Sequence, residues 1–518
     1  MTNIWDAIIV GSGFSGLAMA GRLQRAGGWR FLILERGEAV GGTWRDNRYP
    51  GCACDVPSHL YSLSFAAAHD WTHRYAGHQD IRTYLEGVAR RFRPQLRCNA
   101  TVTQAEFDEA QALWLVTLAD GSLLRTRFLM AGLGPLNRPA LPDVPGLSQF
   151  AGQAFHSMHW PQDFSCEGRH VAVVGTGASA IQIVPALAGQ AARLTVFQRT
   201  APWVVAKGDR PYSRFARACL RLVPGLRALY RTWLYASREI VGLAFLHPAL
   251  MRLASRRVRR DLLRRVSDPV LRQQLTPHHP MGCKRILLSD DYYPALQQGN
   301  VTLVTEPIVR VTPGAIVTAD GREHAADVLV FATGFRHAEV PQDPVIRGCG
   351  GKTLQEAWRE RRMAYLGCAV AGFPNFFLLG GPHSGLGHNS VVFMIEAQAH
   401  WILLALRAAR RRRARTIALR PGSYQQAGQE MARRSRTTVW ESGCRSWYLD
   451  EGGNNTAIWP GLSAEFWLRT RRFNARDFIL ENHDRTVPSH PGSERSGPAP
   501  EPARTHGGSP AARLPGAH

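Results

Sequence analysis

Two glycine-rich turns carry the clearest chemistry in this sequence. The first, Gly11-Ser12-Gly13-Phe14-Ser15-Gly16, has the spacing G-x-G-x-x-G, and Glu35 follows about twenty residues later. Glycines so spaced let the chain turn tightly and bring backbone N–H groups against a pyrophosphate at a helix N-terminus. A carboxylate at Glu35 would accept hydrogen bonds from ribose hydroxyls. An acid suits an unphosphorylated ribose, so this turn is expected to hold FAD rather than NADPH. The second turn, Gly175-Thr176-Gly177-Ala178-Ser179-Ala180, is G-x-G-x-x-A. The strand after it ends in Gln198-Arg199-Thr200, without an acid. An acid there would repel a 2′-phosphate, whereas Arg199 would pair with one through charge-assisted hydrogen bonds. This second site is expected to prefer NADPH to NADH.

Each turn needs a strand before it and a helix after it. Residues 4–10 are apolar and rich in β-branched types; 17–26 has a helical pattern, and 31–34 is a second apolar strand ending at Glu35. The same order recurs in 170–174, 181–187 and 194–197. Two such units predict an α/β chain with two Rossmann-like dinucleotide-binding domains. A length of 518 residues is likewise too great for one core.

The composition, 45% hydrophobic and 20% charged, is ordinary for a globular protein. The formal net charge of +23 is not, and it favours an anionic partner: nucleotide phosphate, nucleic acid or a membrane surface. Residues 207–275 hold 16 lysines and arginines against four acids in a mostly helical pattern. A solvated helical lid is the plainer reading of this stretch. The sharper one is peripheral attachment to anionic lipid, because 220–253 is apolar between its arginines. No recognition motif accompanies the charge, so nucleic acid is not expected as a partner. Nine cysteines show neither a paired framework nor metal-ligand spacing and are expected to be reduced thiols in the cytosol. Cys52-x-Cys54 is too short for a redox CxxC. The N-terminus lacks a signal pattern and no apolar run of about 18 residues occurs. A cytoplasmic protein, at most peripheral to a membrane, is expected.

Between the two turns stands Phe150-x-Gly152-x3-His156-x3-Trp160-Pro161. After the first turn comes Gly41-Gly42-Thr43-Trp44-x4-Tyr49-Pro50-Gly51-x3-Asp55. These stretches match FxGxxxHxxxW[P/D] and [AG]GxWxxxx[FY]P[GM]xxxD at every fixed position. Over about residues 4–480 the chain closely resembles the type I Baeyer–Villiger monooxygenases. The resemblance implies bound FAD reduced by NADPH, reaction with O2 to a C4a-peroxyflavin, and attack on a small-molecule ketone to give an ester or lactone. It implies that Gly42, Thr43 and Trp44 lie along the flavin ring and that Asp55 pairs with an active-site arginine. Met281-Gly282-Cys283-Lys284-Arg285 resembles the family's GxKR segment, which makes Arg285 that arginine and Lys284 a second contact to the 2′-phosphate. A permanently charged guanidinium would stabilise the peroxyanion and then the oxyanion of the adduct. His156 would coordinate the domains from the linker without doing acid–base work. Ala332-Thr333-Gly334-Phe335 resembles the ATG[FY] turn that returns the chain to the flavin domain. Residues 440–459 correspond to a loop closing over substrate, with Trp447, Tyr448 and Trp459 as wall or core residues.

The expected layout is an FAD-binding domain in two parts, 1–140 and 338–482. An NADPH-binding domain, also in two parts, spans 141–206 (with the linker 150–161) and 276–337. A helical insertion covers 207–275 and a disordered tail 483–518. The alternative activity is N- or S-oxygenation by a related flavin monooxygenase; Trp160 and the complete 41–55 loop speak against it. A disulfide reductase would need the missing CxxC. A basic membrane- or nucleic-acid-binding protein would not need two intact nucleotide sites.

Overall fold

The computed structural model describes residues 4–67, 70–337 and 344–482. The expected tail and the first residues of the 338–482 segment lie outside them. Strand Ile4–Val10 runs parallel between Phe31–Leu34 and Leu123–Ala131, with Ile8 opposite both Leu32 and Leu129. All four residues of Phe31–Leu34 and the last four of Ile4–Val10 are buried. That is why these strands read as unbroken apolar runs: a parallel sheet is covered on both faces. The long Leu123–Ala131 strand is shared. Its first half pairs antiparallel with Leu113–Leu118, and its second half pairs parallel with Phe376–Leu378. Residues from near both ends of the chain thereby build one eight-stranded sheet.

A second, five-stranded parallel sheet has the order Val301–Val304, Arg193–Phe197, His170–Val174, Val328–Phe331, Gln153–His156. Part of the expected linker is therefore an edge strand: Gln153–His156 pairs with Val328–Phe331, His156 opposite Phe331. A short polar-rich strand can sit at an edge because only one of its sides needs a partner.

Two chain crossings join the sheets, and they run side by side. Pro139 bridges antiparallel to Phe335; Ala140 N–H donates to Gly334 O and Arg336 N–H to Arg138 O, both at 2.9 Å.

The basic insertion is helical, as its pattern predicts: Arg214–Leu222, Leu226–Leu246, Pro248–Arg265 and Pro269–Leu275. Ser213 and Asp268 cap two of these helices, and Pro248 and Pro269 occupy first-turn positions that need no N–H donor. Helix Val391–Arg411 packs on helix Phe14–Ala26 and ends in Arg410 and Arg411, where the helix dipole favours cations. Among the described helices it alone is long and apolar enough to cross a membrane. The protein already buries 67% of its apolar window, as befits a core helix.

Candidate active site

The two nucleotide turns are built alike. Gly11 and Gly175 adopt φ of +98° and +114°, and a Cβ on either would lie 2.5 Å from a carbonyl oxygen, of Gly132 and of Ala332. Each first glycine thus lets its turn close against the end of a neighbouring strand. Ala332, with Thr333, serves the second turn in this way, while Gly334 bonds Ala140 and His156. The third positions differ from the first in having open space. A Cβ on Gly13 would meet only Gly42 Cα, at 3.9 Å, and one on Gly177 would meet nothing within 4 Å. The space beside Gly13 and Gly177 is open, as close approach of a pyrophosphate to the backbone requires, so the residues present fit FAD and a nicotinamide dinucleotide. Phe14 and Gly16 begin the Phe14–Ala26 helix; Ala178 and Ser179 lead into Ala180–Ala188, with Ser179 at its N-cap.

Glu35 lies beside the first turn, as expected, but its carboxylate is more engaged than the sequence suggested. It accepts hydrogen bonds from Ser12 N–H (2.9 Å), Ser12 Oγ (2.6 Å), Gly37 N–H (2.9 Å) and Arg45 Nη1 (2.7 Å). Burial opposes its charge, yet the hydroxyl, guanidinium and amide donors hold the carboxyl below its usual range. Arg45 is a buried partner that no spacing rule marks.

The loop 41–55 bridges the two nucleotide units. Gly42 lies on Gly13, and Trp44 donates from Nε1 to Tyr61 Oη at 3.1 Å. Farther along, Gln182 of helix Ala180–Ala188 accepts from Tyr49 Oη (3.1 Å) and donates to Ala53 O (2.9 Å). Asp55 follows directly. Its Oδ2 accepts from Arg285 Nε at 3.0 Å and from Nη2 at 2.5 Å. The pair is joined across 230 positions of sequence and keeps 28% and 32% of its side chains exposed. Asp55 raises the Arg285 pKa; burial opposes the Asp55 charge, but Arg285 holds that carboxyl below its usual range. Tyr448 stands beside the guanidinium, and burial pushes its phenol up to about 12.

Arg199 lies near enough to Lys284 for the two charges to be felt by each other. Burial, then the nearby Arg199 charge, lowers the Lys284 pKa. Two cations brought together are what a phosphate dianion would relieve. Thr200 O accepts from Thr176 Oγ1 at 3.0 Å, tying the strand end to the turn.

His156 accepts from Met158 N–H at Nδ1 (3.1 Å), which leaves Nε2 to donate to Gly334 O at 2.9 Å. Gly334 O also accepts from Ala140 N–H, so His156 fastens to the carbonyl through which the two chain crossings are joined. Burial lowers its pKa, against the opposing effect of the Gly334 bond.

Three expectations for 440–459 divide. Tyr448 belongs to the Arg285 surroundings. Trp447 stacks on His337 at 4.4 Å. Trp459 is buried against Phe466 and donates to Leu462 O, which is a packing role.

One expectation fails. The cysteines are not all reduced: Cys283 and Cys444 form a disulfide across 161 residues. The fold brings the Lys284–Arg285 segment against the 440–459 loop, and no local spacing could announce that contact.

A family model described as pyridine nucleotide-disulphide oxidoreductase matches residues 8–214. A Baeyer–Villiger monooxygenase of Streptomyces coelicolor is 43% identical over 475 residues, 91% of this chain and 91% of the relative. Another, of Pseudomonas aeruginosa, is 42% identical over 478 residues, 91% and 90% of the two chains. A crystal structure of OTEMO in complex with FAD and NADP aligns with a TM-score of 0.84 at 29% identity, covering 93% of this chain and 100% of that one. Two nucleotide turns, a guanidinium held by the loop that follows the first of them, and relatives of this closeness agree: the chain belongs to the Baeyer–Villiger monooxygenase family, as an NADPH-dependent flavoprotein that uses FAD and O2 to convert ketones to esters or lactones.

Proposed function

We propose that Arg285 is the catalytic cation of this reaction, that Asp55 holds it in place, and that His156 positions the two nucleotide units. One observation carries the reading: a guanidinium fixed through two donors to one carboxylate oxygen of Asp55, which ends a loop that touches the first nucleotide turn at Gly13 and the helix after the second turn at Gln182. FAD, once reduced by NADPH, supplies the electrons that activate O2 for insertion beside the carbonyl. Arg285 then meets the negative charge that develops at the reacting oxygens. It does so without losing a proton and without reorganising, because Asp55 has already oriented it. Tyr448 keeps its proton at neutral pH and presents a hydroxyl beside the same cation.

Glu35 and the turn containing Gly11, Gly13, Phe14 and Gly16 serve FAD, with Gly42, Thr43 and Trp44 beside the ring. The turn from Gly175 to Ala180 serves the NADPH pyrophosphate, and Arg199, Thr200 and Lys284 serve its 2′-phosphate end. Ala332 and Thr333 support that second turn, while Gly334 bonds Ala140 and His156. The FAD unit is taken as 1–140 with 338–482, and the NADPH unit as 141–206 with 276–337, carrying the 207–275 insertion.

A product assay under 18O2 tests the activity. The yellow protein is given NADPH, a panel of linear, cyclic and aryl ketones, and one sulfide. An ester carrying a single 18O is expected and identifies the ketone class. Sulfoxide without ester would move the assignment to heteroatom oxygenation.

A further inference from the structure

The Leu226–Leu246 helix wears its charges on the inside. Arg231 donates to His59 O, Ser62 Oγ and Ser62 O at 2.7–2.8 Å. Arg238 donates to Tyr75 Oη at 2.9 Å. Glu239 accepts from Asn389 Nδ2 (2.8 Å), Ser463 Oγ (2.5 Å) and Ala464 N–H (3.1 Å), and faces His388 Nε2 at 3.2 Å. Only Arg227, at the first turn, remains of its four charged residues. The outward face is apolar and regular. Leu229, Trp233, Ala236, Ile240 and Leu243 follow one another at steps of four and three, one stripe of a helix. Leu229 is 68% exposed, Trp233 57% and Ile240 69%.

The neighbouring helices continue this surface. Arg214–Leu222 buries no residue at all and exposes Phe215 and Leu222. Around the helix its arginines, Arg214, Arg217 and Arg221, fall on one side and Phe215, Cys219 and Leu222 on the other. Pro248–Arg265 exposes Leu250 and Leu253 beside a row of arginines, Arg252, Arg256, Arg257 and Arg260. An apolar stripe this long is uncommon on a free monomer surface and marks something that covers it.

We propose that the outer face of the 207–275 insertion docks on an anionic lipid surface. The apolar stripe enters the boundary between headgroups and acyl chains, and the arginines flank it among the lipid phosphates. Charge decides between this occupant and a second copy of the chain. The exposed arginines beside the stripe, Arg252, Arg256, Arg257 and Arg260, would repel their counterparts on a second copy, while an anionic lipid surface attracts them. None of its helices qualifies as a membrane span, so the contact is peripheral. The docked face lies on helices whose inner side chains, Phe245 and Met251, share a buried cluster with Met281, four residues before Arg285.

The test is flotation of the full-length, flavin-loaded enzyme with vesicles. These are made of phosphatidylcholine alone or of phosphatidylcholine mixed equally with phosphatidylglycerol. Binding is expected only with the anionic vesicles and should fall as salt rises. The double variant Trp233→Glu/Ile240→Glu should lose binding by about tenfold or more. Its turnover of a short, water-soluble ketone should be unchanged. If that variant loses flavin, the exposed triple variant Arg256→Gln/Arg257→Gln/Arg260→Gln decides the matter; it should lose about tenfold of its anionic-vesicle binding. No flotation of the wild type, or flotation indifferent to lipid charge, overturns the proposal. So does a wild-type dimer by light scattering that the Trp233→Glu/Ile240→Glu variant splits without any vesicle binding, since the stripe would then face a second copy.

Discussion

Arg285 holds a charge that no working pH removes, and Asp55 fixes where that charge points. Arg285→Ala should keep FAD and still oxidise NADPH, but lose ester formation by about two to three orders of magnitude, with peroxide released instead. A variant that makes ester at the wild-type rate would remove Arg285 from the chemistry. Asp55 has a depressed pKa, so its stabilising pairing is complete at neutral pH and disappears as acid protonates it. Ester yield per NADPH should therefore be insensitive to Asp55 protonation at neutral pH and fall only on acidification below the ordinary carboxylate range. At the other site, Gly177→Ala adds a methyl group that touches nothing in the protein. It should leave fold and FAD content intact while raising the KM for NADPH about tenfold, because the pyrophosphate needs that space. Arg199→Ala should raise the KM for NADPH and leave that for NADH nearly unchanged. Equal loss with both cofactors would contradict the assignment of Arg199.

At the scale of elements, the insertion is pinned by Glu239 to the start of the core helix Val391–Arg411 and to Ser463–Thr470. Burial opposes the Glu239 charge, but His388, Ser463 and Asn389 outweigh it and bring the carboxyl down to about 2 from its usual 4.5. A depressed carboxylate stabilises the fold above its unfolded pKa, and that contribution is lost as pH falls from about 4.5 toward 2. Glu239→Gln should destabilise by about 1–3 kcal/mol at pH 7 and flatten the acid limb of a melting-temperature profile. An unchanged profile would show that the cluster does not pin the helix. Some of this architecture was legible beforehand. The nucleotide turns are local, and their glycines, strands and Arg199 lie close together in sequence. Arg285 and Asp55 could be paired only through resemblance, since 230 positions separate them. Gln182, Arg45 and Glu239 were not legible: each is one polar residue on an ordinary helical stretch, and its partner is chosen by packing. The same holds for the edge strand Gln153–His156, whose partner lies far down the chain.

Across the whole molecule, the Cys283–Cys444 disulfide joins the segment that presents Arg285 to the loop that carries Tyr448. Closing a loop of 161 residues limits the unfolded chain by at most about 5 kcal/mol in the chain-entropy view. Cys444→Ser should lower the melting temperature and make the 440–459 loop easier to cleave by protease under non-reducing conditions. Equal cleavage of the two proteins would mean that packing alone holds the loop. The reading of all cysteines as isolated thiols missed this link because the pair exists only in the folded state.

The two side-by-side crossings have a mechanical meaning. A single tether would leave the nucleotide units free to tilt and twist in any direction. Two strands bonded through Pro139 and Phe335, with His156 fastened to the same carbonyl, form a strap with width. A strap bends easily across its flat side and resists rotation about its length. A relative rotation of the two sheets is thereby expected to follow an arc, like a door on a piano hinge, rather than a free twist.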